Sequence, residues 1–232
     1  MKHLKYLVPL AAIALLASCG GRNQNDGEAA EGEEAAEEVK AQAVPPADSA
    51  ATKKMVDELP EEPVFDIVTS MGTIRVKLYN DTPKHRDNFA RLALAHYYDN
   101  VLFHRVIDGF MIQGGDPNTR NSSPEAVAKY GQGGPGYTVP AEFIPEYKHK
   151  KGALAAARIG DVANPKRESS GSQFYIVQDE QACAQLDGAY TVYGETVKGF
   201  DVIDKIAKVP RNGRDCPLDP VRIEKVKLVE ND

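Results

Sequence analysis

The chain of 232 residues has no tryptophan, only 7 Phe and 10 Tyr, and just 3 cysteines. Each aromatic side chain in a motif is therefore informative. The five histidines, His3, His85, His96, His104 and His149, form no metal-ligand spacing with Cys or with one another. The run Gly131-Gln132-Gly133-Gly134-Pro135-Gly136 lacks the Lys-Ser/Thr of a phosphate loop. Ser169-Ser170-Gly171-Ser172 is not the Gly-x-Ser-x-Gly of a nucleophile elbow. Neither Cys183 nor Cys216 has a histidine close in sequence to activate it. Metal hydrolysis, nucleotide chemistry and serine or thiol hydrolysis have no support, and no cofactor or metal is expected. The net charge of −6 argues against nucleic acid as a partner.

That charge is unevenly placed. Before residue 63 lie 12 of the 34 acidic and 6 of the 28 basic residues, which leaves 22 of each beyond it. The acidity belongs to the N-terminal part. That part begins with Lys2 and Lys5, continues in an apolar run from Tyr6 to Leu16, and ends in Leu16-Ala17-Ser18-Cys19. The run is too short to remain as a spanning helix. It resembles a bacterial lipoprotein signal, residues 1–18, with its lipobox. The resemblance implies cleavage before Cys19 and diacylglycerol on the Cys19 sulfur. Each buried methylene of such a chain contributes about 0.8 kcal/mol to membrane binding. Residues 19–62 then read as an acidic, disordered linker, because the stretch around Asp26 to Glu38 has little apolar surface to bury. A flexible chain of this length spans about 35–40 Å. The expected location is the bacterial cell envelope, lipid-anchored, on the periplasmic or cell-surface face. Export permits a Cys183–Cys216 disulfide, although sequence does not supply the Cα distance.

From residue 63 to 232 the pattern is mainly strands. Val64 to Thr69 and Thr73 to Tyr79 form a hairpin, with Ile74, Val76 and Leu78 on one face. Thr82 and Pro83 are placed as the N-cap and first residue of a helix, whose buried stripe is Phe89, Leu92, Ala93 and His96. Val101 to Ile107 and Phe110 to Gly114 read as strands, followed by a long loop to Tyr137. Ala153 to Ala157, Ser172 to Val177 and Thr191 to Tyr193 are further strands, and Phe200 to Lys208 a second helix. In the last strand Val221 and Ile223 share one parity while Val226 and Leu228 share the other, which predicts a β-bulge near Glu224–Lys225. Many short strands with two helices predict a closed eight-stranded antiparallel β-barrel capped by two α-helices.

Alternation puts Phe103, Arg105 and Ile107 on one face of their strand, Met111 and Gln113 on one face of the next, and Gln173 and Tyr175 opposite Phe174 and Ile176. A guanidinium among large apolar groups supports chemistry that needs a donor but no nucleophile. The stretch Tyr98-x-x-Val101-x-Phe103-His104-Arg105-Val106-Ile107-x-x-Phe110-Met111-x-Gln113-Gly114-Gly115 resembles the signature of the cyclophilins, peptidyl-prolyl cis–trans isomerases. Gly131 to Gly136, Gly171 to Ile176, Leu186-Asp187-Gly188 and Val192-Tyr193-Gly194 follow in the family's order, so the resemblance covers about Val64 to Glu230.

The resemblance implies that Arg105 is catalytic and that Phe110, Met111, Tyr175 and Leu186 surround the substrate proline. It implies that Gln113 supports the arginine, and that Ala157, Arg158 and Gln173 meet the peptide backbone or the neighbouring groove. Tyr190 stands where the family often has His and keeps a hydroxyl donor; Gln185 stands where Trp is usual, and Tyr175 where Phe is usual. His104 reads as structural. Rotation about an X–Pro bond takes tens to hundreds of seconds because amide resonance must be broken. A guanidinium that donates to the twisted amide favours the transition state over either ground state. The expected substrates are proline-containing segments of unfolded or newly exported chains, bound by a monomer. The rival expectation is a non-catalytic proline-peptide-binding or chaperone module on the same fold.

Overall fold

Period-two alternation builds the frame. A computed structural model describes residues 47–230; residues 1–46 and 231–232, including Cys19, the signal segment and most of the linker, lie outside the described residues. Strands β1 (Val64–Thr69) and β2 (Gly72–Leu78) form the expected hairpin, with Phe65, Ile67, Ile74, Val76 and Leu78 all buried. On the outer face Asp66 lies opposite Arg75 and accepts both guanidinium bonds, at 2.7 and 3.0 Å.

The other strands are β3 (Val101–Leu102), β4 (Arg105–Ile107), β5 (Met111–Gly114), β6 (Thr138–Val139), β7 (Ala153–Ala156), β8 (Ser169–Ser170), β9 (Phe174–Val177), β10 (Val192–Lys198) and β11 (Arg222–Leu228). Nine of them make one antiparallel sheet in the order β3-β11-β1-β2-β10-β7-β9-β5-β4, while β6 and β8 pair separately. The closed eight-stranded barrel is thus corrected to a curled open sheet of nine strands. The expected strand 101–107 breaks at Phe103–His104. Its first part pairs with β11 and its second with β5, so the two edges meet through the covalent chain rather than through a ladder. The break also changes the facing: Phe103 turns into the core against Phe174, with ring centroids 6.3 Å apart, instead of sharing the face of Arg105.

The bulge falls where the phase of the last strand shifts. Val68 pairs with Lys225 and Thr69 with Ile223, leaving Glu224 as the extra residue and both Ile223 and Val226 buried. Burying one such aliphatic side chain contributes about 1.5–3 kcal/mol, which is why the backbone yields rather than the pattern.

Five α-helices lie among the described residues: α1 (Ala50–Asp57), α2 (Pro83–Leu94), α3 (Pro124–Val127), α4 (Glu180–Cys183) and α5 (Phe200–Ala207). Phe89, Ala90, Leu92 and Ala93 of α2, and Val202, Ile203, Ile206 and Ala207 of α5, enter the main core. Phe200, the first residue of α5, is 39% exposed. His96 departs from its expected place in the buried stripe. It follows the helix at φ 54° and is exposed, with its ring on Asp99 at 2.8 Å. Helix α1 corrects the linker reading. Ser49 caps it by accepting from the Thr52 N–H at 3.1 Å, and Ala47, Val56 and Leu59 pack on the core. Gly115, at φ +89°, ends β5; a Cβ there would stand 2.2 Å from the Ser172 carbonyl, so only glycine lets these segments close up.

Candidate active site

Alternation along β7 and β9 separates two buried layers. Leu154, Ala156, Phe174 and Ile176 face the main core. Ala153, Ala155, Tyr175 and Val177 face a second cluster with Met111, Cys183 and Val192. Phe110, Leu186 and Tyr190 pack at the margin of this second layer, and there it opens into a pocket of about 250 Å3.

Nine of the ten candidate residues line that pocket. Met111, Tyr175 and Ala157 are buried within it, and Phe110, Leu186 and Tyr190 form its apolar and aromatic wall. Arg105, Gln113 and Arg158 supply its polar edge. Gln173 does not line it, but lies in an adjoining groove of about 850 Å3 that shares Gln113, Ala157 and Arg158. Gln185 is turned away, donating to the Ala182 carbonyl at 3.2 Å.

Arg105 is held loosely from two sides. Its Nη1 donates to Gln113 Oε1 at 3.5 Å, and its Nε lies 3.8 Å from Asp215 Oδ2. Behind Gln113 runs a chain of amides. Gln113 Nε2 donates to Gln173 Oε1 at 3.1 Å, and Gln173 Nε2 donates to the Gly131 and Gly133 carbonyls at 3.0 and 2.8 Å. Those two glycines in turn donate their N–H groups to Asp116 at 2.5 and 3.2 Å. The glycine-rich run thus orients amides rather than cradling phosphate.

Arg158 closes the rim. Its guanidinium stacks 4.2 Å from the Tyr190 ring centroid and donates to the Ala189 and Ile159 carbonyls, each at 3.0 Å. It also reaches Asp161 at 2.6 Å, which Arg167 holds from the other side, so the turns of segment 159–168 are clamped to the pocket edge.

The floor rests on groups that the sequence did not mark. The Tyr175 hydroxyl lies 2.9 Å from His149 Nε2, and His149 Nδ1 lies 2.8 Å from Asp187 Oδ1. With the carboxylate on Nδ1, that nitrogen carries the proton and Nε2 accepts from Tyr175. Burial lowers the His149 imidazole below its ordinary value, against the pull of Asp187, so it is neutral. Burial also pushes the Tyr175 phenol well above its ordinary value. Both groups therefore act as fixed dipoles, not as acid and base. Asp215, His149 and Asp187 were missed as supporting residues because their partners lie from 26 to 110 positions away, beyond any spacing rule.

A second arrangement has the connectivity of a nucleophilic triad. His85 places Nε2 2.9 Å from Ser169 Oγ and Nδ1 2.6 Å from Glu142 Oε2. Ser169 is only 1% exposed, so no substrate carbonyl reaches it. Glu142 instead accepts the Lys84 and His85 N–H groups at 3.0 Å each, and so caps α2. Thr82, the expected cap, sends its hydroxyl to the Tyr79 carbonyl. The two described cysteines are free rather than bridged: Cys183 is buried beside the Phe110 carbonyl, its thiol pushed up to about 12 by burial, and Cys216 lines a cavity that also includes Arg105.

A family model described as cyclophilin type peptidyl-prolyl cis-trans isomerase/CLD matches residues 64–228. Peptidyl-prolyl cis-trans isomerase-like 1 of Aspergillus fumigatus is 38% identical over 168 residues, which cover 72% of this chain and 94% of the fungal one. A longer relative, isomerase-like 2 of Rhizopus delemar, is 34% identical over 188 residues, 78% of this chain but only 33% of its own length. The crystal structure of a Cryptosporidium parvum cyclophilin type isomerase superposes with a TM-score of 0.64 at 30% identity, covering 74% of this chain and 99% of that one. A second structure of the Cryptosporidium protein, obtained in the presence of the dipeptide Ala-Pro, gives 0.62 at 30% identity, covering 72% and 99%. With most of its length matched in sequence and in fold, the chain belongs to the cyclophilin-type peptidyl-prolyl cis–trans isomerase family, an enzyme class.

Proposed function

We propose that this chain rotates X–Pro bonds in unfolded or newly exported polypeptides, acting as a monomer on a lipid anchor at Cys19 in the bacterial cell envelope. One observation carries the catalytic reading: a guanidinium at the edge of a pocket whose floor and walls are Met111, Phe110, Tyr175 and Leu186. A proline ring fills such a space, and the apolar walls exclude water from the amide beside it. As the bond twists, the proline nitrogen pyramidalises and regains a lone pair. Arg105 donates to that nitrogen, or to the carbonyl turned toward it, and so stabilises the twisted state more than either planar one. No bond is made to the protein and no proton is transferred. The loose contacts to Gln113 and Asp215 leave guanidinium donors for the substrate.

The location rests on the basic start, short apolar run and Cys19 of the N-terminus. Among the described residues no helix is long and apolar enough to cross a membrane. Replacing Cys19 with Ser is expected to release the protein from membranes; retention in the membrane fraction would defeat the anchor.

For catalysis, the test is isomerisation of X–Pro peptides by a soluble chain from residue 19 carrying Cys19→Ser. Arg105→Ala is expected to lower kcat/KM by about 100- to 1000-fold, the usual effect of removing a transition-state donor, with the circular dichroism spectrum retained. Equal rates for the two proteins would remove the mechanism. Absence of activity in the parent chain would favour a non-catalytic module that binds proline peptides.

A further inference from the structure

We infer that the cavity on the opposite side of Arg105 from the proline pocket is a subsite for a carboxylate side chain carried by the substrate polypeptide. It holds about 200 Å3 and shares Arg105 and Gln113 with the proline pocket, so one bound chain reaches both.

The lining is rich in donors and has no carboxylate. Arg105 and Arg214 contribute guanidinium groups and Asn212 an amide. The nearby acids already have partners: Asp215 lies 3.3 Å from Arg211 and only at the longer distance of 3.8 Å from the cavity's Arg105, and Asp116 accepts the N–H groups of Asn118, Gly131 and Gly133. Tyr130 donates its hydroxyl to the Asn121 carbonyl at 2.9 Å. Burial raises the Cys216 thiol, which stays protonated and adds no negative charge.

His104 adds an imidazole to this lining. It is 5% exposed and lines the cavity; the Leu102 carbonyl is within reach of the ring, yet neither ring nitrogen makes a hydrogen bond of good geometry. A buried polar group is ordinarily paired, so an unpaired one at a cavity wall marks a place where a partner arrives. Its Nε2 faces the Gly131 edge, where a side chain on residue 131 would begin 3.7 Å away. Two guanidinium groups and an imidazole N–H around a space of this size match the acceptor capacity of one carboxylate. The Nη atoms of Arg214 make only long contacts, 3.4 and 3.5 Å, to the Val127 and Ala128 carbonyls, which leaves donor capacity for such a ligand.

The inference rests on the proline-pocket reading for how the chain is delivered, and its test is separable from that reading. Acetylated alanine peptides with one proline, carrying Glu or its Gln twin at each flanking position, are titrated into the Cys19→Ser chain at low salt. At one or two positions the Glu peptide is expected to bind about five-fold more tightly than its twin, the scale of a partly exposed ion pair. Added salt should narrow that ratio, and Arg214→Lys should keep most of it. Arg214→Glu should invert it. The His104 ring resonances should move with the Glu peptide and not with the Gln peptide. Sodium acetate should weaken only the Glu peptide.

Equal affinities of the Glu and Gln peptides at every position would overturn the inference, as would a Glu preference that survives Arg214→Glu. Acetate that shifts His104 while the two peptides bind equally would assign the cavity to free anions and overturn the substrate subsite. Turnover is measured on the Gln peptides alone. Its absence would remove the isomerase reading and leave the affinity ratio to judge the subsite.

Discussion

Two buried histidines make the same set of bonds in different places. His85 and His149 each give their backbone N–H and Nδ1 to one carboxylate oxygen, of Glu142 and Asp187, and each meets a hydroxyl at Nε2, of Ser169 and Tyr175. One network caps α2 and ties it to β8, with its serine hydroxyl buried. The other lies under the proposed proline pocket, and its hydroxyl belongs to Tyr175, which lines that pocket. Identical connectivity therefore says nothing about function. What differs is which partner's other face meets solvent or ligand.

The largest effect expected from breaking this parallel is at Glu142. Glu142→Ala removes two cap bonds to α2, worth about 1 kcal/mol each, and leaves a buried imidazole N–H without an acceptor. Denaturant unfolding should show a loss of about 3 kcal/mol, while kcat/KM per folded molecule stays near that of the parent. A large fall in kcat/KM would show that the two networks are not functionally separate.

A smaller effect is expected beneath the pocket. Tyr175→Phe keeps the ring but leaves His149 Nε2 without its donor, a cost of about 1–2 kcal/mol. On the function proposed above, the change should raise KM more than it lowers kcat, as expected of a ring that contacts substrate in ground and transition states alike. Adding His149→Leu should recover part of the loss. A double-mutant cycle coupling near zero would break the proposed link between floor and histidine.

The mildest probe is pH. Burial lowers His149 and His104 below the ordinary value near 6.5. Between that value and the depressed folded one, the unfolded chain binds more protons than the folded chain. Their contribution to stability is thus fully present above about pH 6.5 and is lost as pH falls below it. Urea unfolding should show lower stability at pH 5.5 than at pH 7.5, and His149→Gln should flatten that slope. Unchanged stability across that range would contradict the buried, neutral state of both rings.

Much of the frame was legible because it follows from parity. The hairpin at Val64–Leu78, the division of Tyr175 from Phe174, and the bulge at Glu224 need only a period of two and a buried face. The pocket residues were legible from a motif whose members lie on three neighbouring strands and two loops. The helix at Ala50–Asp57 was not, because linker composition averaged away a Ser cap and three apolar residues that find a surface only on the folded domain. His96 was misplaced by helical periodicity, which does not register that the chain leaves the helix before that residue.

The sequence by itself determined the strand faces, the absence of metal and nucleophile signatures, and the candidate arginine with its apolar neighbours, since these depend on side-chain chemistry and local repeat. Only the tertiary structure decided that the sheet stays open at Phe103–His104, that Asp215 stands behind Arg105, and that His85, His104 and His149 are buried while His96 is not. Each of those is a contact or its absence between segments distant in the chain. Such contacts are selected by how buried polar groups find partners once the core has closed.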